Sequence, residues 1–282
     1  MTSAVVPMPV HCELPHAHGP RLQAVCLDID DTLIDFTTAA RKALYGMIGR
    51  DDMWSTWQRM TEEHVARVVA GELDSGSMRL ARTKAFLADL GAVVDDELVH
   101  RLEDRRRAEV DEAWALFDDV VPCLDWLQAA GLKVAAVTNA SGAHQRDKLN
   151  ALGIARFFDT VVIAGELGAA KPDPQIFRAA CDRLDVPAQE ALHVGDRLDV
   201  DAVGARDAGL LGVWLDRCGR EPPGDPGVPV IETLSDLPEL IVSEYVTPSA
   251  TGPAGVPGQR ATDPVSGPHG GWSTISLRQH GQ

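Results

Sequence analysis

Four short segments carry side chains able to do chemistry together: Asp28-Ile29-Asp30-Asp31-Thr32, Thr138-Asn139, Lys171-Pro172, and Gly195-Asp196 with Asp199 and Asp201 behind it. Asp28 and Asp30 stand two residues apart, so at the end of a strand they lean to the same side. Such a pair suits a two-step displacement in which one carboxylate attacks and the other carries protons. Carboxylates gathered at one place repel each other and lose hydration, and a cation beside them offsets both costs. Magnesium prefers one or two carboxylates together with waters and substrate oxygens, which makes Asp196 a candidate ligand. Asp201 is a candidate to hold a metal-bound water or to orient Lys171, while Asp199 is expected to face solvent or cap a helix. The Lys171 ammonium and the Thr138 hydroxyl imply an anion next to that cation. The expectation is a pocket for magnesium and phosphate.

Each segment also has a plainer reading. An acidic loop could bind calcium, but a loop of the EF-hand type needs glycine at its sixth position and a helix before it. Here the sixth position is Leu33 and the preceding run reads as a strand. Thr and Asn before a helix are often only caps, yet a hydroxyl and free N–H groups at a helix start also hold phosphate oxygens. Lys171 precedes a proline and is therefore biased to extended backbone, with Asp173 and Pro174 as N-cap and first helical residue. His193 lies inside an apolar run and reads as a core histidine.

The elements that must position these residues follow from periodicity. Leu22–Leu27 is a short apolar run ending in carboxylates, suited to a central strand. From about 36 to 118 apolar residues recur at helical spacing through Ala39–Ile48, Trp54–Val69, Met78–Leu90 and Leu98–Leu116, punctuated by Gly71, Gly76 and Gly91. After Pro122 helix and strand alternate. Helices are expected over Leu124–Ala130, Ala143–Leu152, Pro174–Leu184 and Val200–Ala208. Strands are expected over Lys133–Val137, Thr160–Ala164, Ala191–Val194 and Gly212–Leu215. That alternation predicts an α/β fold with a parallel sheet covered on both faces, and ligands in such sheets sit at the carboxyl ends of the strands. The helical stretch is then an insertion. The expected organisation is an N-terminal extension over 1–21, an α/β core over 22–35 and 119–246, an all-helical module over 36–118, and a disordered tail over 247–282.

Composition narrows the partners. The chain has 282 residues and a net charge of -16, from 26 Lys+Arg against 42 Asp+Glu. A nucleic-acid footprint needs a basic stripe, so no nucleic-acid polymer is expected as partner. No stretch of about eighteen apolar residues exists to span a membrane. The first twenty residues are proline-rich and lack the basic and apolar regions of a signal peptide. His11, Cys12, His16 and His18 could chelate a metal only in that extension. Five scattered cysteines without a C-x-x-C pair read as reduced thiols of a cytoplasmic protein.

The order and spacing of the four segments, over roughly Leu22 to Arg217, resemble the haloacid dehalogenase (HAD) superfamily. The resemblance implies a Rossmann-like core with a helical cap inserted between the first and second motifs. It also implies that Asp28 is the nucleophile forming an aspartyl-phosphate and that Asp30 protonates the leaving oxygen and then activates water. Asp28, the Asp30 carbonyl and Asp196 would hold Mg2+, and Thr138, Asn139 and Lys171 would grip the phosphoryl group. Thr32, Gly195 and Asp201 are expected in support, with crowding by Asp28 and Asp196 keeping Asp30 protonated for the first step.

Departures from the family pattern refine the expectation. The dehalogenase branch lacks a second acid able to shuttle protons, and Asp30 is present here. Asp31 stands where glycine is common, which is most similar to pyrimidine 5'-nucleotidases and N-acylneuraminate-9-phosphatases. The leading expectation is a magnesium-dependent phosphatase of a small phosphorylated metabolite, a nucleoside monophosphate or sugar phosphate, working as monomer or homodimer. The alternatives are a phosphomutase, a 2-haloacid dehalogenase, a phospho-receiver and a phospholigand-binding protein without turnover. Arg79, Arg82 and Lys84 could touch substrate from the inserted module, against the simpler reading of a solvated helix face.

Overall fold

The computed structural model of the protein describes residues 21–245, apart from 70, 141–143 and 221–223. The proline-rich extension with its His11, Cys12, His16 and His18 set, and the tail from 247, lie outside the described residues.

Six strands form one parallel sheet in the order β3-β2-β1-β4-β5-β6. They are β1 (Ala24–Leu27), β2 (Lys133–Thr138), β3 (Thr160–Ile163), β4 (Ala191–Gly195), β5 (Leu211–Leu215) and β6 (Val230–Ile231). The helices are α1 (Phe36–Ile48), α2 (Trp54–Val69), α3 (Ser75–Asp89), α4 (Asp96–Glu112), α5 (Val120–Ala129), α6 (His144–Ala151), α7 (Ala164–Leu167), α8 (Pro174–Leu184), α9 (Gly204–Asp207) and α10 (Leu237–Glu244).

Alternation along β1 shows why the sheet is buried on both sides. Val25 and Leu27 pack into a cluster with Val120, Leu124 and Leu127 of α5 and with Leu237 and Ile241 of α10. Ala24 and Cys26 point the other way, against Ile176, Phe177 and Ala180 of α8 and Ala205 of α9. Small residues on that second face let α8 approach closely. The register pairs Leu27 with both Ala136 and Val194, so the chain leaves β1, β2 and β4 at one edge. That shared edge brings Asp28, Thr138 and Asp196 together.

Between β1 and α5 the described residues form the four helices α1–α4 joined by turns and loops. α1 packs on α4, and α3 contacts both α2 and α4. Asp35, Asp74 and Asp95 cap α1, α3 and α4 by accepting N–H groups of the first turn. The two chain segments joining these helices to the sheet run side by side: Asp35 N–H donates to the Ala115 carbonyl at 3.0 Å and Phe117 N–H to the Leu33 carbonyl at 3.1 Å.

Several boundaries differ from expectation for local reasons. α5 begins before Pro122, which is tolerated because first-turn N–H groups have no helical acceptor. β3 stops at Ile163 and Ala164 opens the short α7. The expected helix over 200–208 is a π-helical turn, Leu198–Val203, followed by α9. Its wide turn carries Asp201 inward, a use typical of π-turns at functional sites. β6 and α10, too short or too late for the periodicity to reveal, complete the sheet edge.

Candidate active site

Lys171 is the hub of the strand-end edge. Its Nζ donates to Asp28 Oδ1 at 2.5 Å and to the Val137 carbonyl at 2.9 Å, and lies 2.6 Å from Asp201 Oδ1. Burial works against its charge, but Asp201 and Asp28 outweigh burial and hold the ammonium well above the usual lysine range. The backbone around it is fixed by Asn139, whose Oδ1 accepts the Lys171 N–H at 2.7 Å while its Nδ2 donates to the Lys171 carbonyl at 2.8 Å. Asn139 therefore spends its side chain on holding the lysine. The Lys171-Pro172 bond is cis, and Asp173 caps α8 at Gln175 with Pro174 in the first turn, as its sequence predicts.

Asp201 is committed in three directions. Besides Lys171 it accepts the Arg197 N–H at 3.1 Å and lies 3.2 Å from His193 Nε2. Burial would raise the Asp201 carboxyl, but Lys171 and His193 hold it well below the usual range. Burial lowers His193, so the ring is neutral, and a carboxylate partner requires its proton on Nε2. His193 Nδ1 is then a bare buried nitrogen with no partner. His193 is a core residue supporting Asp201, not a ligand. Gly195 is required by this arrangement: a Cβ there would lie 2.3 Å from Asp201 Cγ.

Asp28, Asp196 and Asp201 offer carboxylate oxygens within 4.8 Å of one another. Asp201 is already spent, and Asp28 shares Lys171 and accepts from Thr32 Oγ1 at 3.2 Å. The Asp196 carboxylate has no hydrogen-bond or ion-pair partner among the described residues; only its backbone carbonyl is held, by Trp214 Nε1 and Arg220. Burial pushes Asp28 up to about 7, with Lys171 pulling down and Asp201 adding to the rise. Burial, then Asp28 and Asp201, push Asp196 up to about 8. Two carboxyls held this high next to each other form a site short of one positive ion. A divalent cation fits the donor set, with Asp196 as the open carboxylate and Asp28 beside it.

Asp30 sits apart from that cluster. Its Oδ1 accepts from Lys148 at 2.6 Å and its Oδ2 from Gln145 at 3.0 Å. The expected crowding therefore falls on Asp28 and Asp196, whereas Asp30 has a cation partner of its own. Lys148 and Gln145 are both buried and went unnoticed in the sequence. Their signal was present: two polar residues three apart in α6, on the same face as the core residue Leu149. Thr138 is buried too, its Oγ1 accepting from Ala140 N–H at 3.3 Å and from Gln145 at 3.4 Å. Asp31 adopts a left-handed φ of 60°, which explains glycine's suitability there, and its carboxylate accepts from Thr37 N–H and Oγ1 at 2.7 and 2.8 Å. Asp199 is exposed next to Arg197. Arg82 is not on a solvated face: it is buried against Glu103 and stacked 4.1 Å over Trp57. Lys84 pairs with Asp96 at the surface.

A parallel sheet with acids at the ends of β1 and β4 and a buried lysine between them defines a hydrolase of known design. The chain belongs to the haloacid dehalogenase-like hydrolases, whose sequence profile matches residues 22–209. It is 34% identical over 220 residues to a glyceraldehyde 3-phosphate phosphatase of Methanopyrus kandleri, covering 75% of this chain and 92% of that one. It is 28% identical to the N-acylneuraminate-9-phosphatase of Mus musculus, over 79% of this chain and 95% of that enzyme. Among solved structures it is similar to the magnesium-bound HAD-hydrolase YfnB of Bacillus subtilis. That likeness has a TM-score of 0.66 and 25% identity, covering 78% of this chain and 99% of that one. Among the described residues, no helix is long and apolar enough to cross a membrane.

Proposed function

We propose that the protein is a magnesium-dependent phosphatase of a small phosphorylated metabolite, working through an aspartyl-phosphate on Asp28. The observation that carries this reading is the Asp28–Lys171–Asp201 chain of contacts with Asp196 left open beside it. Relatives that are phosphatases support it, and so does the magnesium in a similar structure.

In this reading Asp28 and Asp196, with the Asp30 backbone carbonyl, would hold a magnesium ion, which would neutralise charge on the phosphoryl oxygens. Asp28 Oδ attacks phosphorus while Lys171, kept charged by Asp201, offsets the charge of nucleophile and phosphoryl group alike. Asn139 maintains the lysine's backbone, and Thr138 contributes its hydroxyl at the end of β2. Asp30 gives a proton to the leaving oxygen and then takes one from the attacking water. Lys148 and Gln145 fix the Asp30 carboxylate in the pose that the second, general-base step requires. The four-helix module from 36 to 118 acts as a cap that closes over the pocket and excludes water. A second acid with such support suits giving a proton to a leaving alkoxide and taking one from water, and halide departure needs no protonation.

Phosphate release from a panel of sugar phosphates, nucleoside monophosphates and phospho-acids, with magnesium and with chelator, tests the reading. Release that requires magnesium and disappears in Asp28→Asn is expected, and Asp30→Asn should lose about 10²–10⁴-fold. No release from any ester, or an Asp28→Asn protein as active as wild type, would overturn it.

A further inference from the structure

A cavity of about 750 Å³ lies between α3 and α4 on one side and Asp30, Gln145 and Lys148 on the other. Its charges do not cancel. Asp30 is matched by Lys148, whereas Asp111 has only the imidazole of His144, 3.2 Å away, as a partner. Asp74 turns back on the start of α3, where it accepts the Gly76 and Ser77 N–H groups. Arg106 is bound to Glu103 by two hydrogen bonds of 3.0 and 2.7 Å. Glu103 is shared with Arg82 and so has no charge to spare. Arg79 of α3 and Arg107 of α4 remain, both lining the cavity, and neither has a hydrogen-bond or ion-pair partner among the described residues. They are half-buried and feel each other: burial first, then Arg107, draw the Arg79 guanidinium below the usual arginine range, with Glu103 and Asp74 opposing in part.

Two guanidinia with no direct partner in one cavity leave their N–H groups free for an anion that enters between them. Their planar forks suit a carboxylate or a phosphate, each able to take paired N–H donors. We propose that Arg79 and Arg107 form a subsite for a second anionic group of the substrate. The substrate class is then a small phosphate monoester that also carries a carboxylate or a second phosphate. The cavity is large enough to hold such a molecule with its ester end at Asp30 and its second anion at the arginines. The inference rests on the phosphatase reading for which end reacts, but the subsite itself is a statement about binding.

Binding is therefore the measurement. Calorimetry on the Asp28→Asn protein with magnesium would compare matched pairs: 3-phosphoglycerate with glycerol 3-phosphate, and fructose 1,6-bisphosphate with fructose 6-phosphate. The doubly anionic partner of at least one pair should bind about tenfold tighter or more, the scale of a charge-assisted contact. Which pair shows it separates carboxylate from phosphate. Arg79→Gln or Arg107→Gln, in the same background, should bring that ratio toward one. The ratio in the unsubstituted subsite should also shrink between about 50 mM and 500 mM salt, a readout needing no cap variant. Equal affinities within both pairs, or binding by none of the four, would overturn the subsite. Turnover by wild type, run in parallel, judges the phosphatase reading separately.

Discussion

Replacing Gly195 by Ala tests whether the acid–lysine hub is as tightly built as its contacts imply. The added methyl would sit 2.3 Å from Asp201 Cγ and 2.5 Å from Oδ2, against ordinary contact beginning at 3.4 Å. Asp201 must retreat by about 1 Å, and it cannot do so freely. Its carboxylate is held by Lys171 at 2.6 Å, the Arg197 N–H at 3.1 Å and His193 at 3.2 Å, and it is almost fully buried. Overpacking alone costs about 1–3 kcal/mol. Loosening a buried ion pair adds to that, up to about 3–5 kcal/mol if the pair breaks outright. We expect a loss of about 2–4 kcal/mol by urea denaturation. We also expect kcat to fall tenfold or more, because Lys171 is displaced from Asp28 and a shift of about 1 Å can cost that much. A double-mutant cycle isolates the cause, since removing the Asp201 side chain gives the methyl room. If Gly195→Ala costs as much in an Asp201→Gly background, which removes Cβ, Cγ and Oδ2 alike, as in wild type, or stays within about 0.5 kcal/mol and twofold in kcat of wild type, the close-packed hub is refuted.

Lys148→Met removes the cation from Asp30 while keeping the buried stem; kcat should drop about 10–100-fold with a smaller change in KM, and an unchanged kcat would remove Lys148 from the mechanism. Asp196 and Asp28 are held above the ordinary carboxyl range, to about 8 and about 7, so the metal-free folded protein binds more protons than the unfolded chain between about pH 4 and 8. Their contribution to metal-free stability is full below the ordinary carboxyl value and is lost as pH rises toward 8. The gain in melting temperature from magnesium over chelator should therefore grow from pH 5.5 to 8 and flatten in Asp196→Asn; a gain independent of pH in wild type would contradict this. Asp31→Ala loses both bonds to Thr37 and keeps the left-handed φ, whereas Asp31→Gly loses the bonds and relieves the backbone. The alanine variant should be less stable by about 1 kcal/mol in denaturant titration, and equal stabilities would mean that the backbone there is unstrained.

The sequence exposed the order of the chemistry better than its contacts. Asp28 and Lys171 are 143 residues apart, yet a parallel sheet puts every strand's carboxyl end on one edge, so strand-then-polar patterns sufficed to unite them. Helix caps such as Asp173 before Pro174 were equally legible, because capping is local. What stayed hidden depended on partners distant in sequence. Asn139 reads as a phosphate contact until its amide is seen to be occupied by the Lys171 backbone. Arg82 reads as a surface arginine until Glu103 and Trp57 enclose it. Lys148 and Gln145 sit on a short polar helix whose inward face only the tertiary structure reveals. Asp201, ambiguous between water-holding and lysine-orienting, proves to be the lysine's second carboxylate.

The strand-end acids and the cavity lined by Asp30, Arg79 and Arg107 are charged in opposite senses, and this restricts what can fill them. At the strand ends Asp28 and Asp201 share one lysine, and the Asp196 carboxylate beside them has no partner among the described residues. In the cavity Arg79 and Arg107 make no hydrogen bond or ion pair among the described residues. A divalent cation settles the first imbalance but leaves the second untouched. An anion alone would be drawn to the arginines, where no nucleophile waits. Only a molecule with a phosphate at one end and a second acid at the other, arriving beside a bound cation, neutralises both at once. In a carboxylate-bearing ester the same separation of charge makes only one orientation productive, since the reversed pose sets the carboxylate on the nucleophile and gains no transferable group. A neutral sugar phosphate satisfies half of this arrangement, so the protein should hydrolyse it more slowly than a doubly anionic ester of similar size.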